Sequence, residues 1–525
     1  DLMKYFNWFG IKANYTYTHS SITTTKRTMD GTEVIAVQQT RPLYGQAAHV
    51  ANLSLLFKFA KAGVEAQVSG SYTGRRLSEI SNWVDNDIWE AGYVQLDASV
   101  EKSFKCGSTV YVDGHITVPE GESLTIEHGV TVIFSEAGVG VNHTAIEFSV
   151  DGNLYCLGTE DEPVLLTVAE ELRTSANTFE GLWGGIVAGA TCEEMLIDHT
   201  IIEYCGGQVI EGSPAAENGY YTAGDDAYPH ITTNNVDGRY VITNSILRNG
   251  WSDAIYMMGG NAIIAGNIFS AIGYDGAEAV NVKSGCTVDV ARNIMFSANT
   301  NGLKLSSSDQ SEVRHQAKIQ AYNNTIIGSG WRRDGEKGGG IYVEENADAG
   351  VFNNLLVNCK FRATTPAWEE PGSEDCYDGE HSMIDYNYYA SGTVQSSIFY
   401  EGQYEDDGEM LLYSGVKFPY EGYAFNHEWY DTEKVDVHSV IARTAEEAAS
   451  LDPRFVNFDL NMDPASYTFN DSWDFHLAAG SPALDASKTY TAGDRQPYFG
   501  TSGLEVNGQT YTSPAIGAWF GAFGE

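Results

Sequence analysis

The sequence predicts an all-β protein in which a few antiparallel strands precede a long solenoid of stacked parallel strands. Apolar and polar residues alternate within residues 1–104, which is typical of strands with one apolar face. From residue 107 onward, short aliphatic strands headed by Asn return at intervals of roughly 20 to 45 residues, which indicates a stacked repeat. The chain has 55 glycines against 13 prolines, which suits the many tight turns of such a fold.

Composition narrows the partners of the chain. Its 71 acidic and 30 basic residues give a formal net charge of −41, so we expect it to repel nucleic acid and anionic lipid. The seven cysteines are scattered without a Cys-x-x-Cys pair, which argues against a zinc knuckle or a disulfide scaffold. The sequence has the character of an exported protein, and we expect the form that begins at Asp1 to be mature or trimmed.

Residues 1–104 predict short strands with one apolar and one polar face. The alternation is clearest at residues 11–17, 53–57 and 64–68. A small sheet or sandwich would show this pattern, and so would part of an outer-membrane barrel. The segment resembles the late barrel strands of TonB-dependent nutrient receptors at residues 40–46 (TRPLYGQ), 49–53 (HVANL), 87–89 (DIW) and 95–104 (QLDASVEKSF).

This resemblance implies the outer membrane or cell surface of a Gram-negative bacterium, with a TonB-dependent receptor complex as partner. Residues 1–104 supply roughly four or five strands, too few to close a barrel, and open strand edges are not tolerated in lipid. Either the segment completes a receptor made by another chain, or residues 1–104 and 107–525 are joined segments of two polypeptides from one complex. We favour the second explanation, which an intact mass showing one polypeptide would contradict.

Residues 107–525 carry several independent motifs of a second family. Early motifs lie at residues 118–134 (VPEGESLTIEHGVTVIF), 150–154 (VDGNL), 158–165 (GTEDEPVL) and 182–186 (LWGGI). Late motifs lie at residues 452–456 (DPRFV), 474–477 (DFHL), 480–485 (GSPALD) and 514–519 (PAIGAW). Together they resemble exported right-handed parallel β-helix proteins of the pectin-lyase-like kind, which include polysaccharide lyases, pectinesterases, glycoside hydrolases and noncatalytic surface proteins.

The recurring Asn residues predict an internal ladder. In register, successive strands stack about 4.8 Å apart, so these side-chain amides would hydrogen-bond their neighbours above and below. We therefore interpret them as structural and not as a site. The predicted positions are Asn244, Asn267, Asn293, Asn324 and Asn354, with His199 in the same position of an earlier coil.

A second recurring strand predicts an outward column of side chains. At residues 254–257, 279–282, 302–305 and 340–343 the second and fourth residues are apolar and face the core, so the third faces outward. The resulting column is Tyr256, Asn281, Lys304 and Tyr342. Beside it lie two further outward sets, Met258, Lys283, Ser306 and Glu344, and Asp253, Glu278, Asn301 and Gly339.

This column is either a solvated sheet face or a ligand-binding surface. Tyrosines at its two ends suit sugar rings, and large aromatic residues lie in the turns that lead into it. Basic residues gather here in an otherwise acidic chain, namely Lys283, Lys304, Arg314, Arg332, Arg333 and Lys337. The candidate ligand-binding residues are therefore Tyr256, Asn281, Lys304, Tyr342, Trp251, Trp331 and Lys283.

An enzymatic interpretation assigns catalytic roles to the same residues. In a polysaccharide lyase, Lys304 would be the base, Arg332 or Arg333 would clamp the uronate carboxylate, and Asp253 with Glu278 would bind Ca²⁺. No motif matches a particular lyase family. A hydrolase would need two carboxylates at a fixed separation, which Asp253 and Glu278 satisfy only loosely.

Residues 361–436 are predicted to interrupt the repeat as a long acidic insertion without a spaced calcium-binding loop.

The leading hypothesis is a noncatalytic, surface-exposed accessory protein of a TonB-dependent uptake system that captures an oligomeric nutrient, in the first place a glycan. A polysaccharide lyase or related carbohydrate-active enzyme is the alternative, and a purely structural subunit is third. No cofactor other than Ca²⁺ is indicated, and a peptide ligand is not excluded by the sequence.

Overall fold

The computed structural model describes residues 2–6, 8–59, 64–102, 109–135, 145–274, 276–334, 338–360, 376–398, 435–442, 445–484, 487–491 and 493–524. The chain divides into two compact units, Asp1–Gly107 and Ser108–Glu525. Strands dominate both units, so the protein is all-β. No helix in the described ranges is long and apolar enough to cross a membrane.

The first unit is antiparallel. Its main sheet, called sheet A here, contains the strands Leu2–Phe6, Phe9–Tyr17, His49–Phe59, Val64–Thr73 and Tyr93–Lys102 in that order. Two separate hairpins pair Ile22–Asp30 with Glu33–Arg41 and Arg76–Glu79 with Ile88–Glu90.

Sheet A has one apolar and one polar face because its strands align residues of like polarity. The register places Leu53 beside Ala13 and Gly70, and Gly70 beside Leu96. The next row, on the opposite face, is Lys12, Ser54, Ser69 and Asp97. The apolar face is uncovered within this unit: Leu96 is 76% exposed. Other exposed members of that face are Tyr15, Leu53, Val68, Tyr72, Val94 and Val100.

The second unit is a right-handed parallel β-helix whose coils visit three parallel sheets in turn. Sheet 1 contains Thr109–Val112, Thr131–Phe134, Val164–Thr167, Thr200–Glu203, Ile246–Gly250, Ile268–Ile272, Ile294–Ala298, Thr325–Ile327, Leu355–Val357, Tyr388–Ala390 and Val440–Ile441. Sheet 2 contains Ile116–Val118, Phe148–Val150, Ile186–Ala188, Ile231–Thr233, Ile255–Met257, Glu278–Val282, Asn301–Ser306 and Gly339–Glu344. Sheet 3 contains Ser123–Glu127, Asn153–Leu157, Glu194–Asp198, Arg239–Thr243, Gly260–Ala265, Cys286–Ala291, Lys318–Tyr322, Asp348–Phe352 and Met383–Ile384.

The core of the β-helix follows from the alternation within its strands. In sheet 2, Val280 and Val282 point inward beside Leu303 and Leu305 of the next coil, and all four are fully buried. Near the start of the helix Phe134 stacks on Trp183 with ring centroids 3.9 Å apart. The six described cysteines are buried and free, as small core residues.

The Asn ladder exists at one turn between sheets 3 and 1. The side-chain amide of each of the first four members donates from Nδ2 to Oδ1 of the Asn one coil further on, at 3.0 to 3.1 Å. All members are fully buried, so the ladder satisfies backbone polar groups inside the solenoid. Its members are Asn267, Asn293, Asn324, Asn354 and Asn387.

The predicted membership of the ladder was wrong at its first two positions. Ser245, not Asn244, lies beside Asn267, and its backbone N–H donates to Asn267 Oδ1 at 3.0 Å. Thr200, not His199, stands beside Ser245 in the coil before. Asn244 and His199 occupy the preceding position, where the backbone is left-handed with φ of 50° and 44°. Asn tolerates that conformation, so its presence there did not mark the ladder.

The repeat also continues into the segment that was predicted to interrupt it. Met383–Ile384 joins sheet 3 and Tyr388–Ala390 joins sheet 1. Asn387 was overlooked because tyrosines, not aliphatic residues, follow it. The acidic parts of the predicted insertion, residues 361–375 and 399–434, lie outside the described residues.

Short elements complete the second unit. The helices are Pro214–Glu217 and Ala445–Ser450, with 3-10 turns at Glu170–Leu172, Ser175–Asn177 and Pro482–Leu484. Two antiparallel pairs follow the coils, Phe455–Asn457 with Asp474–Leu477 and Leu504–Val506 with Gln509–Tyr511. The second pair packs on the outside of sheet 3, where Leu504 and Val506 contact outward residues such as Leu196.

Candidate ligand-binding face on sheet 2

Sheet 2 places the predicted column on four successive coils. The register pairs Tyr256 with Asn281, Asn281 with Lys304, and Lys304 with Tyr342. Inward neighbours on both sides of each residue are buried, so the four side chains share the outer face. We call this set the sheet-2 row.

The sheet-2 row is less exposed than a solvated sheet face would be. Asn281 is 4% exposed, and Glu278 and Lys283 are also buried. The reason is that several polar side chains of this face pair with each other. Glu278 accepts hydrogen bonds from Nδ2 of Asn281 (3.3 Å) and from Nδ2 of Asn301 (3.1 Å), while Lys304 Nζ lies 2.9 Å from Glu344 Oε1.

Two acidic side chains touch at one edge of the row. Asp253 Oδ1 accepts from the backbone N–H of Glu278 at 2.6 Å, and the two carboxyl groups are hydrogen-bonded. Burial, and after it the charge of Glu278, raises the pKa of Asp253 well above its usual range. The shift favours the protonated form of Asp253, which can donate a hydrogen bond to Glu278.

This pair does not fit the Ca²⁺ site that the sequence suggested. Calcium takes six to eight oxygen ligands, several of them charged. In the described part of the chain no group of three or more His, Cys, Asp or Glu side chains is arranged to hold a metal ion. Asp253 and Glu278 instead bond to each other and to the neighbouring amides.

The two lysines of the site differ in their electrostatic surroundings. Burial works against the charge of Lys304, but Glu344 and Glu278 outweigh it and raise its pKa. Burial and the neighbouring charge of Lys304 lower the pKa of Lys283. Lys304 is thus held protonated by its partner Glu344, which does not suit the role of general base.

Each lysine also lies over one of the tyrosines. Lys283 Nζ is 5.8 Å from the ring centroid of Tyr256, and Lys304 Nζ is 5.9 Å from that of Tyr342. These are cation–π distances, so the ammonium groups help to hold the tyrosines on the sheet face. Both tyrosines remain half-exposed.

The two tryptophans predicted from the turns differ in exposure. Trp331 is fully buried and its indole N–H donates to the carbonyl of Asn358 at 2.7 Å, so the expectation of an exposed Trp331 is wrong. Trp251 is exposed and stacks on Tyr274 with centroids 4.8 Å apart. This pair lies in the turns that lead into the first two strands of the row.

The two predicted carboxylate clamps have other surroundings. Arg332 donates to the backbone carbonyls of Gly273 (2.5 Å), Ile272 (2.8 Å) and Ser297 (2.6 Å), so most of its donors are already used. The guanidinium of Arg333 packs against Gly276. Neither has a described contact with Lys304.

Sequence reasoning missed what covers the earlier coils of sheet 2. Tyr221 shares a hydrogen bond of 2.6 Å with Thr232, which lies beside Tyr256 in the register and is buried. Tyr228 donates to buried Glu147 at 2.8 Å and fixes the same excursion. The open part of the face therefore begins at Tyr256. The long interval between Ile186–Ala188 and Ile231–Thr233 was the available signal.

Comparisons with known proteins add no further assignment. No protein-family model matches the chain, and neither the curated proteins nor the solved structures contain a significant match. The fold class, all-β with a parallel β-helix, therefore stands on the strand pairing itself.

Proposed function

We propose that this chain is a noncatalytic, surface-exposed binding protein that captures an oligomeric nutrient, namely a glycan, for a TonB-dependent receptor complex of the outer membrane. The observation that carries the proposal is the sheet-2 row, with a half-exposed tyrosine at each end. Three strand spacings separate the tyrosines, about 14 Å, which is long enough for a short oligosaccharide.

The chemistry of the row supports a carbohydrate ligand. Between the tyrosines lie an amide, an ammonium and carboxyl groups, which can donate to or accept from sugar hydroxyls. Aromatic side chains with fixed polar groups beside them are typical of sites that orient a ligand. The Trp251–Tyr274 pair extends the aromatic surface into the adjoining turns.

Three features favour binding over catalysis. Lys304 is paired with Glu344 and stays protonated, so no base is available at the position that the lyase interpretation requires. Asp253 and Glu278 are in direct contact, whereas the carboxyl groups of glycosidases stand about 5 to 9.5 Å apart. Arg332 donates hydrogen bonds to backbone carbonyls, so these N–H groups are not available to clamp a uronate carboxylate.

A polysaccharide lyase is the second candidate, because buried Lys283 has a lowered pKa and could serve as a base. Its test is an ultraviolet assay for unsaturated uronides across acidic polysaccharides. Activity that is lost in Lys283→Ala or Lys304→Ala would replace the binding proposal.

The uncovered apolar face of sheet A supports the outer-membrane part of the proposal. Monomeric soluble proteins rarely leave so many neighbouring apolar side chains in water. A polar face opposite an apolar face is the arrangement expected of strands that face lipid on one side and a lumen on the other.

Affinity electrophoresis on a panel of polysaccharides, followed by calorimetry, tests glycan binding. We expect Tyr256→Ala and Tyr342→Ala each to weaken binding by about tenfold, since an aromatic contact is worth about 1 to 1.5 kcal/mol. The matched control is Tyr111→Ala, an exposed tyrosine on sheet 1. Retardation by no glycan, or equal affinity of all three variants and the parent protein, would contradict the proposal.

A further inference from the structure

The amide of Asn281 has a fixed orientation. Its Nδ2 donates to Glu278 Oε2, and a carboxylate can only accept a hydrogen bond. The amide therefore cannot be flipped without placing two acceptors against each other. Asn281 Oδ1 consequently points away from Glu278.

That oxygen is an acceptor without a donor. Asn281 is almost fully buried, and its Oδ1 accepts no hydrogen bond from any described residue. A buried acceptor left unpaired is costly, so buried polar groups nearly always find a partner. Because Asn281 faces outward from the centre of the sheet-2 row, the natural partner is a donor on a bound ligand.

Three cations lie around Asn281. Burial and the charge of Lys304 lower the pKa of Lys283, which disfavours its ammonium form. Lys304 is paired with Glu344, and Arg314 donates to the carbonyls of Met258 (2.6 Å) and Ser284 (3.2 Å). Glu278 and Glu344 add negative charge beside the row, and the whole chain carries −41. Lys304 is thus neutralised by Glu344 and the Nη2 group of Arg314 is held by carbonyls, so an anionic ligand would find little available positive charge beside two carboxylates.

We infer that the sheet-2 row takes a neutral, hydroxyl-rich oligosaccharide, one hydroxyl of which donates a hydrogen bond to Asn281 Oδ1 between the two tyrosines. This inference rests on the proposed glycan binding and names the class of glycan. A hydroxyl supplies the missing donor and can accept from Lys304 or an amide with its lone pairs.

Two other classes of sugar fit less well. A uronate carboxylate is acceptor-only, so it cannot itself supply the donor that Asn281 Oδ1 lacks, and its charge would lie near Glu278 and Glu344. A cationic amino sugar does supply donors, but the ammonium group of Lys304, which Glu344 keeps charged, already lies over the Tyr342 ring and repels it.

The experiment measures the affinity of the protein for three probes of matched length, each at low and high salt. The probes are neutral hexose oligosaccharides, oligogalacturonates and chitosan oligosaccharides. We expect binding to neutral probes with little dependence on salt. We expect Asn281→Ala to lower that affinity by roughly tenfold, whereas Asn261→Ala, on sheet 3 of a neighbouring coil, leaves it unchanged.

The possible outcomes separate the inference from the proposal beneath it. Preference for oligogalacturonate, or for chitosan, would overturn the neutral-sugar inference and leave glycan binding intact. Equal affinity of Asn281→Ala and the parent protein for a neutral probe would also overturn it. Binding to no glycan would overturn both. The probe preference is measured on the unaltered protein, so it stands even where a variant folds poorly.

Discussion

Sheet A and sheet 2 differ in which residues their faces expose. Sheet A leaves its apolar face open, with Leu96 largely exposed, whereas sheet 2 buries polar residues such as Asn281 on its outer face. Both arise from the same two-residue alternation, which decides which side chains share a face. Alternation does not decide which face is covered. The β-helix covers its apolar side by closing on itself, whereas the apolar side of sheet A stays exposed.

The largest effect on stability is expected inside the β-helix, because the stability of this unit should depend only on contacts within it. Asn324 makes four side-chain hydrogen bonds, to Asn293 (two), Asn354 and the carbonyl of Val290. Asn324→Ala should lower the free energy of unfolding by about 4 kcal/mol, because it leaves buried donors and acceptors on two coils without hydrogen-bond partners. Urea unfolding followed by circular dichroism measures the change.

Asn244→Gly is the control for this prediction. It lies outside the ladder, and glycine keeps the left-handed backbone at no steric cost. Its loss should be under about 1 kcal/mol. Equal losses in Asn244→Gly and Asn324→Ala would mean that the ladder is not a distinct stabilising element.

The second prediction tests whether the open face of sheet A contacts lipid. A lysine on the lipid side of a transmembrane strand costs about 2 to 4 kcal/mol near the bilayer centre. Leu96→Lys should therefore deplete the protein from the outer-membrane fraction. Ser71→Lys changes the polar face of the same sheet and should not. If Leu96→Lys fractionates like the parent protein, lipid does not cover this face.

The third prediction concerns a polar outer residue that the chain itself covers. Asp289 on sheet 3 is fully buried and accepts from the N–H groups of Tyr498 (3.0 Å) and Phe499 (2.9 Å) and from the Ser513 hydroxyl (2.6 Å). Burial raises the pKa of Asp289 to about 6 despite these bonds.

The sign of the pH effect follows from that shift. The folded state binds this proton more tightly than the unfolded chain does, so the contribution of Asp289 to stability falls as pH rises from about 4 to about 6. The fall should be roughly 2 to 3 kcal/mol. Hydrogen exchange of residues 497–513, corrected for its intrinsic rate, should show stronger protection at pH 4.5 than at pH 7. Asp289→Asn should remove most of this difference, and stronger protection at pH 7 would contradict the assignment.

A structural feature can be predicted from the sequence when it depends on local residues. The strands and the register of the sheet-2 row follow from spacing and alternation within each coil. Burial of a turn residue does not follow, because it depends on distant segments. Trp251 and Trp331 both lie in turns before sheet-2 strands, yet only Trp331 finds a buried acceptor, on Asn358. Sequence patterns carry no information on that contact.

The smallest effect is expected within the sheet-2 row, where the two lysines should respond differently to the same change. Lys304→Met removes the partner of Glu344 and leaves that carboxylate half-buried, so we expect a loss of about 1 to 2 kcal/mol at pH 7. Lys283→Met removes an ammonium that burial and Lys304 already disfavour, so its stability should change by less than about 0.5 kcal/mol. Urea unfolding of the two matched variants measures the difference. If Lys283→Met is the more damaging change, Lys283 is charged in the folded protein and stabilises it. The argument that the sheet-2 row prefers a neutral ligand would then fail.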